Sequence, residues 1–415
     1  MKKTAKQLLD EVNAVFGKGA VTMGSDKRHV VEFTPTGVPP IDYLLNGGLP
    51  LGRFVEIYGD FSSLKSYIGL RAIAVGQRRG LLCALIDTEH AYDPAWAEAL
   101  GVDTEELIYK QPTNGEEAID LAEVLIRGGV DVIVFDSVAA AVPQSEQEKR
   151  LAGNTVQPAR LAALMSLAMR KLTAANSKTA VLWINQTRLN VGVTFGNPET
   201  VPGGKALPYY ASYRVGLKKS GRAFETVPIF ETKDGKPTLN KSGKRAIGQT
   251  IRATLDKSKL SAPFRDITFT FSFKEGQVDS WAFLANLALD AELIHYERGY
   301  WWDETGKKER ESTFRGSHGQ RWLVEALLPK VPQLAPVIEY LKREEPVWVE
   351  EEELVDLDSP GGTAPAKKTA STQRKSGSGT KVRAATPTAG RAKSNGTGRT
   401  RTTSTKSKML VKSSA

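Results

Sequence analysis

A single cysteine, Cys83, only four histidines and the lack of any run of 18 apolar residues bound this 415-residue chain before any motif is read. One cysteine excludes an intrachain disulfide framework and fits a reducing, cytoplasmic setting. So few cysteines and histidines also argue against a structural zinc site. Without a long apolar run no helix spans a membrane, and no membrane partner is expected. Met1-Lys2-Lys3-Thr4 has the positive start of a signal peptide. Asp10 and Glu11 then interrupt the stretch that would form its apolar core, so export is not expected.

What is present is an ordinary globular balance, 40% hydrophobic and 25% charged. The net charge of +10 is unevenly spread: residues 361–415 hold 13 Lys/Arg and no Asp or Glu. The other 360 residues hold 44 basic and 47 acidic side chains, a net of −3. This is a near-neutral body with a basic arm suited to a polyanion.

Lys6 to Phe16 sets Leu8, Leu9, Val12, Val15 and Phe16 on one helical face, which needs cover from its own domain or from a neighbouring subunit. From Phe54 the pattern alternates. Apolar runs at Phe54–Tyr58, Leu81–Asp87, Val130–Asp136 and Ala180–Gln186 are separated by helical stretches at Ser66–Arg78, Pro94–Leu100, Glu116–Arg127 and Ala159–Ala175. Continuous apolar strands between helices predict an α/β fold with a mainly parallel sheet covered on both faces. Tyr213–Leu217, Gln249–Leu255 and Ile267–Phe273 read as further strands. A small α+β unit follows, with a helix at Ser280–Leu293, a hairpin from Tyr300-Trp301-Trp302 to Thr313-Phe314, and helices near Gln320–Leu328 and Leu334–Arg343. Residues 344–358 contain eight acids, and the Ser/Thr/Gly/Ala/Lys-rich stretch after them holds too little apolar surface to fold. The expected divisions are an N-terminal segment (1–33), an α/β core (34–276), a small C-terminal domain (277–345) and a disordered acidic-then-basic tail (346–415).

Gly59-Asp60-Phe61-Ser62-Ser63-Leu64-Lys65-Ser66 lies between a strand and a helix, as a phosphate-cradling Walker A loop does, with Leu64 in place of the second glycine. Such loops work by wrapping phosphates in backbone N–H groups at a helix N-terminus. Lys65 then neutralises phosphate oxygens, and Ser66 offers its hydroxyl to Mg²⁺. The degenerate pattern arises by chance about 0.2 times in a chain of this length, so its context must carry it. Asp136 closes a downstream apolar strand on the edge where open α/β sheets bind ligands, and is a Mg²⁺ ligand or a turn-capping residue. Glu89, in Asp87-Thr88-Glu89-His90, is an activator of attacking water or a solvated loop acid. Asn185-Gln186 ends another strand, where an amide either senses a γ-phosphate or is merely buried and satisfied.

These residues and their order resemble the RecA family of bacterial homologous-recombination ATPases. The likeness is carried by Gly47-Gly48-Leu49-Pro50-Leu51-Gly52-Arg53, Ile86-Asp87-Thr88-Glu89-His90-Ala91-Tyr92-Asp93-Pro94 and Val134-Phe135-Asp136-Ser137-Val138-Ala139-Ala140. Further strings are Ile184-Asn185-Gln186-Thr187-Arg188, Phe195-Gly196-Asn197-Pro198-Glu199-Thr200 with Gly203-Gly204, and Lys257-Ser258-Lys259. The resemblance runs from about residue 8 to residue 345. The Leu-for-Gly change at Leu64 looks like that of a divergent, phage-type member.

The resemblance implies a RecA-type P-loop NTPase core with an N-terminal polymerisation helix. It implies a helical homo-filament on single-stranded DNA, with ATP and Mg²⁺ at each subunit interface, that pairs and exchanges strands with homologous duplex in recombination, repair and the SOS response. By correspondence Glu89 is the catalytic carboxylate and Gln186 the γ-phosphate sensor, with Asp93 and Trp96 at the adenine. Lys257 and Lys259 reach the neighbouring subunit's ATP. Two loops, about Lys149–Val156 and Thr187–Pro202, should meet DNA. Ser166, Arg170, Arg188, Phe195, Asn197, Thr200, Gly203 and Gly204 align with DNA-contacting positions. The first loop departs from the family: Ala163 stands where an arginine is usual, and Arg160, one helical turn earlier, or Lys149 or Arg150 would take its place. Lys307, Lys308, Arg310, Arg315 and Arg321 beside Trp301 and Trp302 suit duplex capture. The basic tail is expected to bind DNA non-specifically, or else only to raise solubility. Two rivals remain: a RecA-fold ring helicase, for which only some 50 residues precede the P-loop, and a hydrolysis-deficient coating filament motivated by Leu64.

Overall fold

The computed structural model describes residues 3–147, 158–189, 199–233 and 236–337. The first DNA loop, Phe195, Asn197, the end of the last expected helix and the tail lie outside the described residues. Helix α1 (Ala5–Phe16) opens with a capping box in which Thr4 and Gln7 satisfy each other's backbone N–H groups. Its apolar face is not covered by the described chain: Leu8, Val15 and Phe16 are 53%, 77% and 76% exposed. Among the described residues, nothing of the chain's own domain buries that face.

Nine strands form the central sheet: β1 (Phe54–Gly59), β2 (Cys83–Asp87), β3 (Ile108–Lys110), β4 (Val132–Asp136), β5 (Ala180–Gln186), β6 (Tyr213–Lys233), β7 (Lys236–Ser258), β8 (Arg265–Ser272) and β9 (Gln277–Val278). Their spatial order is β9-β8-β7-β6-β1-β5-β4-β2-β3. The contacts from β6 through β3 are parallel, and those from β9 to β6 antiparallel.

The apolar runs are continuous because each strand feeds two cores with its two-residue period. Val55, Ile57, Leu85, Val132, Val134, Leu182 and Ile184 face the layer containing α2 (Lys65–Arg78). Phe54, Ala84, Ile86, Ile133, Phe135, Val181 and Trp183 face the layer of α4 (Gly115–Arg127) and α5 (Pro158–Ala175). Helix α3 (Pro94–Ala99) lies between β2 and β3. The mixed α/β architecture with a mostly parallel central sheet is the one expected.

Three details differ. Tyr213–Leu217 and Gln249–Leu255 are the two ends of one hairpin whose pairing continues to Lys233 opposite Lys236. Only Tyr213–Leu217 joins the parallel sheet, and only Gly248–Leu255 pairs with β8. The stretch between those two ends carries no sustained alternating apolar signal in the sequence. The short hairpin closes earlier than expected, at Glu309–Arg310 opposite Tyr300–Trp301. Thr313 and Phe314 instead belong to a helix, Glu311–Ser317, because the buried Phe314 is needed in the small core. That core gathers Trp281, Leu284, Trp301, Phe314, Leu323 and Leu327. Finally, α6 (Ser280–Asp290) ends before Leu293.

Candidate active site

The phosphate loop begins where β1 ends. A Cβ on Gly59 would lie 2.3 Å from the Leu217 carbonyl oxygen, so only glycine fits there. Ser62 and Leu64 both adopt the left-handed region, at φ 53° and 70°. Leu64 is also the residue before α2 and offers no side-chain cap, which leaves the first N–H groups of that helix for a ligand. Its side chain is half-buried against the main core. Lys65 folds back, and its Nζ donates to the carbonyls of Gly59 (3.0 Å) and Asp60 (2.6 Å). Burial holds its pKa below the ordinary lysine value. The buried Ser63 hydroxyl donates to the Asp60 carbonyl at 2.7 Å. Phe61, at the exposed tip, lies under the Lys219 ammonium, 3.6 Å from the ring centroid.

The carboxylates and the amide come together at the C-terminal edge of neighbouring strands. The register pairs Asp87 with Asp136, Asp136 with Ile184, and Gly59 with Gln186. Ser66 Oγ donates to Asp136 Oδ2 at 2.6 Å. Asp136 Oδ1 is buried without a hydrogen-bond partner, and burial pushes this carboxyl up to about 6. A carboxylate with an orphaned oxygen beside a serine hydroxyl is a donor set suited to Mg²⁺. Glu89 Oε1 accepts from Gln186 Nε2 (2.6 Å) and from Ser137 Oγ (2.5 Å). The expected water activator and γ-phosphate sensor are thus in direct contact. Asn185 is indeed buried and satisfied. Its amide donates to Glu56 (3.0 Å) and to the Pro202 carbonyl (3.1 Å), so it ties the base of the second loop to the sheet.

Ser66, Tyr92, Asp93, Trp96 and Asp136 line one cavity of about 90 Å³. Asp93 already serves as the N-cap of α3, accepting from Ala95 and Trp96 N–H groups. Trp96 is 44% exposed, unusual for so large an apolar side chain and suited to stacking on a base. Lys257 and Lys259 are elsewhere. Lys257 pairs with Arg214 near the start of β1, whereas the P-loop continues from its far end. Lys257 donates to the carbonyls of Pro208 (2.6 Å) and Tyr209 (2.8 Å), and Lys259 to that of Tyr210 (3.1 Å). Burial, with Lys259 and Arg214 nearby, lowers Lys257 to about 8.

On α5, Arg160, Ala163, Ser166 and Arg170 recur at helical spacing, and Ala163, Ser166 and Arg170 are exposed. Arg160 is half-buried and donates to the Ser145 carbonyl at 3.1 Å. The second loop opens as a short antiparallel ladder, Arg188 opposite Thr200. Gly203 and Gly204 close it in the left-handed region against α5; a Cβ on Gly204 would lie 2.8 Å from that of Ala162. That contact sets the loop's end beside the exposed face of α5.

Sequence reasoning overlooked three supporting residues. Buried Asp87 accepts N–H bonds from Glu89, Ala91 and Tyr92 and the hydroxyl of Tyr109, and so folds the loop that carries Glu89. Its signal was a strand-ending aspartate followed by a turn. Ser137 follows Asp136 directly and had the same positional signal. Buried Glu56, bonded to Arg214 at 2.6 Å, stands inside an apolar strand and had no local signal beyond that anomaly.

The RecA N-terminal domain family profile matches residues 3–278. Protein RecA of Thermus thermophilus is 44% identical over 305 residues, covering 72% of this chain and 84% of the relative. Protein RecA of Ectopseudomonas oleovorans is 38% identical over 328 residues (78% and 87%), and that of Deinococcus radiodurans 40% over 297 residues (70% and 77%).

Proposed function

Because the chain belongs to the RecA family, whose members are DNA-dependent ATPases of recombination and repair, we propose that it hydrolyses ATP while coating single-stranded DNA as a helical filament, and that the filament pairs and exchanges strands with homologous duplex. The observation that carries this reading is the convergence of Lys65, Ser66, Asp136, Glu89 and Gln186 on one edge of the sheet.

The residues divide the work as follows. The N–H groups at the start of α2 and the Lys65 ammonium bind the triphosphate once Lys65 leaves the loop carbonyls. Ser66 and Asp136 hold Mg²⁺, which when bound offsets charge on the phosphate oxygens. Glu89 orients the attacking water and takes up its proton, and Gln186 turns from Glu89 toward the γ-phosphate. Trp96 stacks on the base beside Asp93. Lys257 and Lys259 stand off this chain's own P-loop, which favours action on a neighbour's nucleotide. A filament also supplies cover for the exposed face of α1, through heterologous, non-closing contacts. The α5 face, the second loop with Phe195 and Asn197, and the basic tail contact DNA backbone and stacking faces, while base pairing reads sequence.

The test is phosphate release from Mg²⁺-ATP with and without single-stranded DNA. DNA-stimulated release that Lys65→Ala and Glu89→Gln both abolish supports the recombinase. DNA binding without release supports the hydrolysis-deficient filament instead.

A further inference from the structure

We propose that Ser137 is a positioning residue for hydrolysis: its hydroxyl fixes the Glu89 carboxylate in the orientation needed to engage water. The inference rests on the reading of Glu89 given above.

Glu89 is an exposed side chain with three rotatable bonds. Left alone it would spread over solvent rotamers and lose conformational entropy each time it engaged water. Two donors hold it, and both bond the same oxygen, Oε1. Among the described residues, Oε2 accepts no hydrogen bond and is left to face water.

The two donors differ in permanence. Gln186 is half-exposed at the end of β5, and under the proposed function its amide leaves Glu89 when a γ-phosphate arrives. Ser137 cannot leave. It is fully buried, and its backbone is bonded to Thr88 in both directions. The Thr88 hydroxyl donates to the Ser137 carbonyl (2.7 Å), and the Ser137 N–H donates to the Thr88 hydroxyl (2.8 Å). Thr88 is the residue before Glu89, and its own N–H donates to the Asp136 carbonyl at 2.7 Å. The ends of β2 and β4 are therefore cross-tied so that the serine hydroxyl and the carboxylate move as one body. When Gln186 turns away, Ser137 is the donor that remains. Its role differs from that of Asp136, whose side chain points to Ser66.

The experiment is a double-mutant cycle on the full chain with single-stranded DNA present: wild type, Ser137→Ala, Glu89→Gln and the pair. Steady-state and single-turnover phosphate release are followed, with binding of a non-hydrolysable ATP analogue. Ser137→Ala is expected to lower kcat by about tenfold to hundredfold, the range for a misplaced reacting group. The KM for ATP, analogue affinity and DNA binding should stay within about twofold, since the hydroxyl touches none of those ligands. In the Glu89→Gln background the same substitution should change the residual rate by less than about twofold, because the carboxylate that the hydroxyl positions for water is already gone. Ser137→Thr keeps the hydroxyl and should recover most of the rate if it folds to the wild-type thermal midpoint. An unchanged kcat in Ser137→Ala overturns the proposal. So does a loss that persists in the Glu89→Gln background, or a weakened analogue affinity that accounts for the whole effect. If Glu89→Gln itself leaves hydrolysis intact, the reading of Glu89 fails instead, and the two failures are told apart within one set of proteins.

Discussion

Replacing Leu64 with glycine asks whether the one departure from the phosphate-loop pattern has silenced the site. Leu64 sits at φ 70°, ψ 16° with its side chain half-buried against the core. A left-handed conformation costs a non-glycine residue about 1–2 kcal/mol, which glycine would relieve. Against that, losing a half-buried leucine side chain removes about 1 kcal/mol of apolar burial. The extra freedom of glycine in the unfolded chain takes a further ~0.5–1 kcal/mol. The terms cancel to within about 1 kcal/mol, so Leu64→Gly should move the thermal midpoint by no more than about 4 °C.

Catalysis should be equally indifferent. The loop offers backbone N–H groups, and leucine already holds the geometry that glycine would adopt. Leu64→Gly should leave both kcat and the KM for ATP within about threefold of wild type in DNA-stimulated phosphate release. Leu64→Ala removes the packing without relieving the strain, so it should be destabilising by about 1 kcal/mol and equally active. A rise in kcat/KM of a hundredfold or more in Leu64→Gly, about 2.7 kcal/mol of transition-state stabilisation, would refute the reasoning. It would mean that the leucine blocks the phosphates.

Further outcomes follow from particular contacts. Asp136→Asn should abolish Mg²⁺-dependent hydrolysis, as chelation does in wild type, without lowering the thermal midpoint, since the buried carboxyl and its orphaned oxygen are a cost to the empty fold. Asp42 is fully buried and pushed up to about 7 by that burial, against an ordinary value of 3.8. Its native pKa lies above its unfolded one, so its contribution is intact below about pH 4 and lost as pH rises toward 7. Asp42→Asn should therefore flatten the decline in thermal midpoint between those values, by at most about 4 kcal/mol of stability. Gly204→Ala must fit a Cβ 2.8 Å from that of Ala162 at φ +71°. It should lose DNA stimulation of hydrolysis more than basal hydrolysis, at about 1–3 kcal/mol of stability. Truncation after Pro360 removes 13 Lys/Arg and should flatten the dependence of DNA affinity on salt; an unchanged slope in a filter-binding titration would leave the tail only a solubility role.

The parts legible in the sequence were those whose physics is local. Val132-Ile133-Val134-Phe135 reads as a buried strand because alternate residues enter two cores, and no distant residue has to be known. Gly59, Lys65 and Ser66 are readable because a strand–loop–helix junction demands them at fixed spacing. What escaped depends on partners far along the chain. Glu56 is an anomaly until Arg214 and Asn185 are placed beside it, more than 120 residues away. Ser137 looks like a turn residue until the strand order puts Glu89, 48 residues earlier, within reach of its hydroxyl. The ribbon beyond Leu217 was missed because its sequence, rich in Lys, Gly and Thr, shows no sustained apolar periodicity.

Lys257 and Lys259 show how far one chain can carry the argument. Their spacing alone reads as two solvated cations. Within the fold both are engaged by the carbonyls of Pro208, Tyr209 and Tyr210, in the helix that directly follows the second loop, and both lie away from their own P-loop. An ammonium bonded to backbone carbonyls is drawn off by a stronger concentration of negative charge, which under the proposed filament would be a neighbour's triphosphate. If the lysines leave those carbonyls to reach it, the helix that follows the second loop loses three hydrogen bonds at the same moment. Nucleotide binding on one subunit and loop position on the next would then be two readings of one equilibrium, which linkage requires to act in both directions.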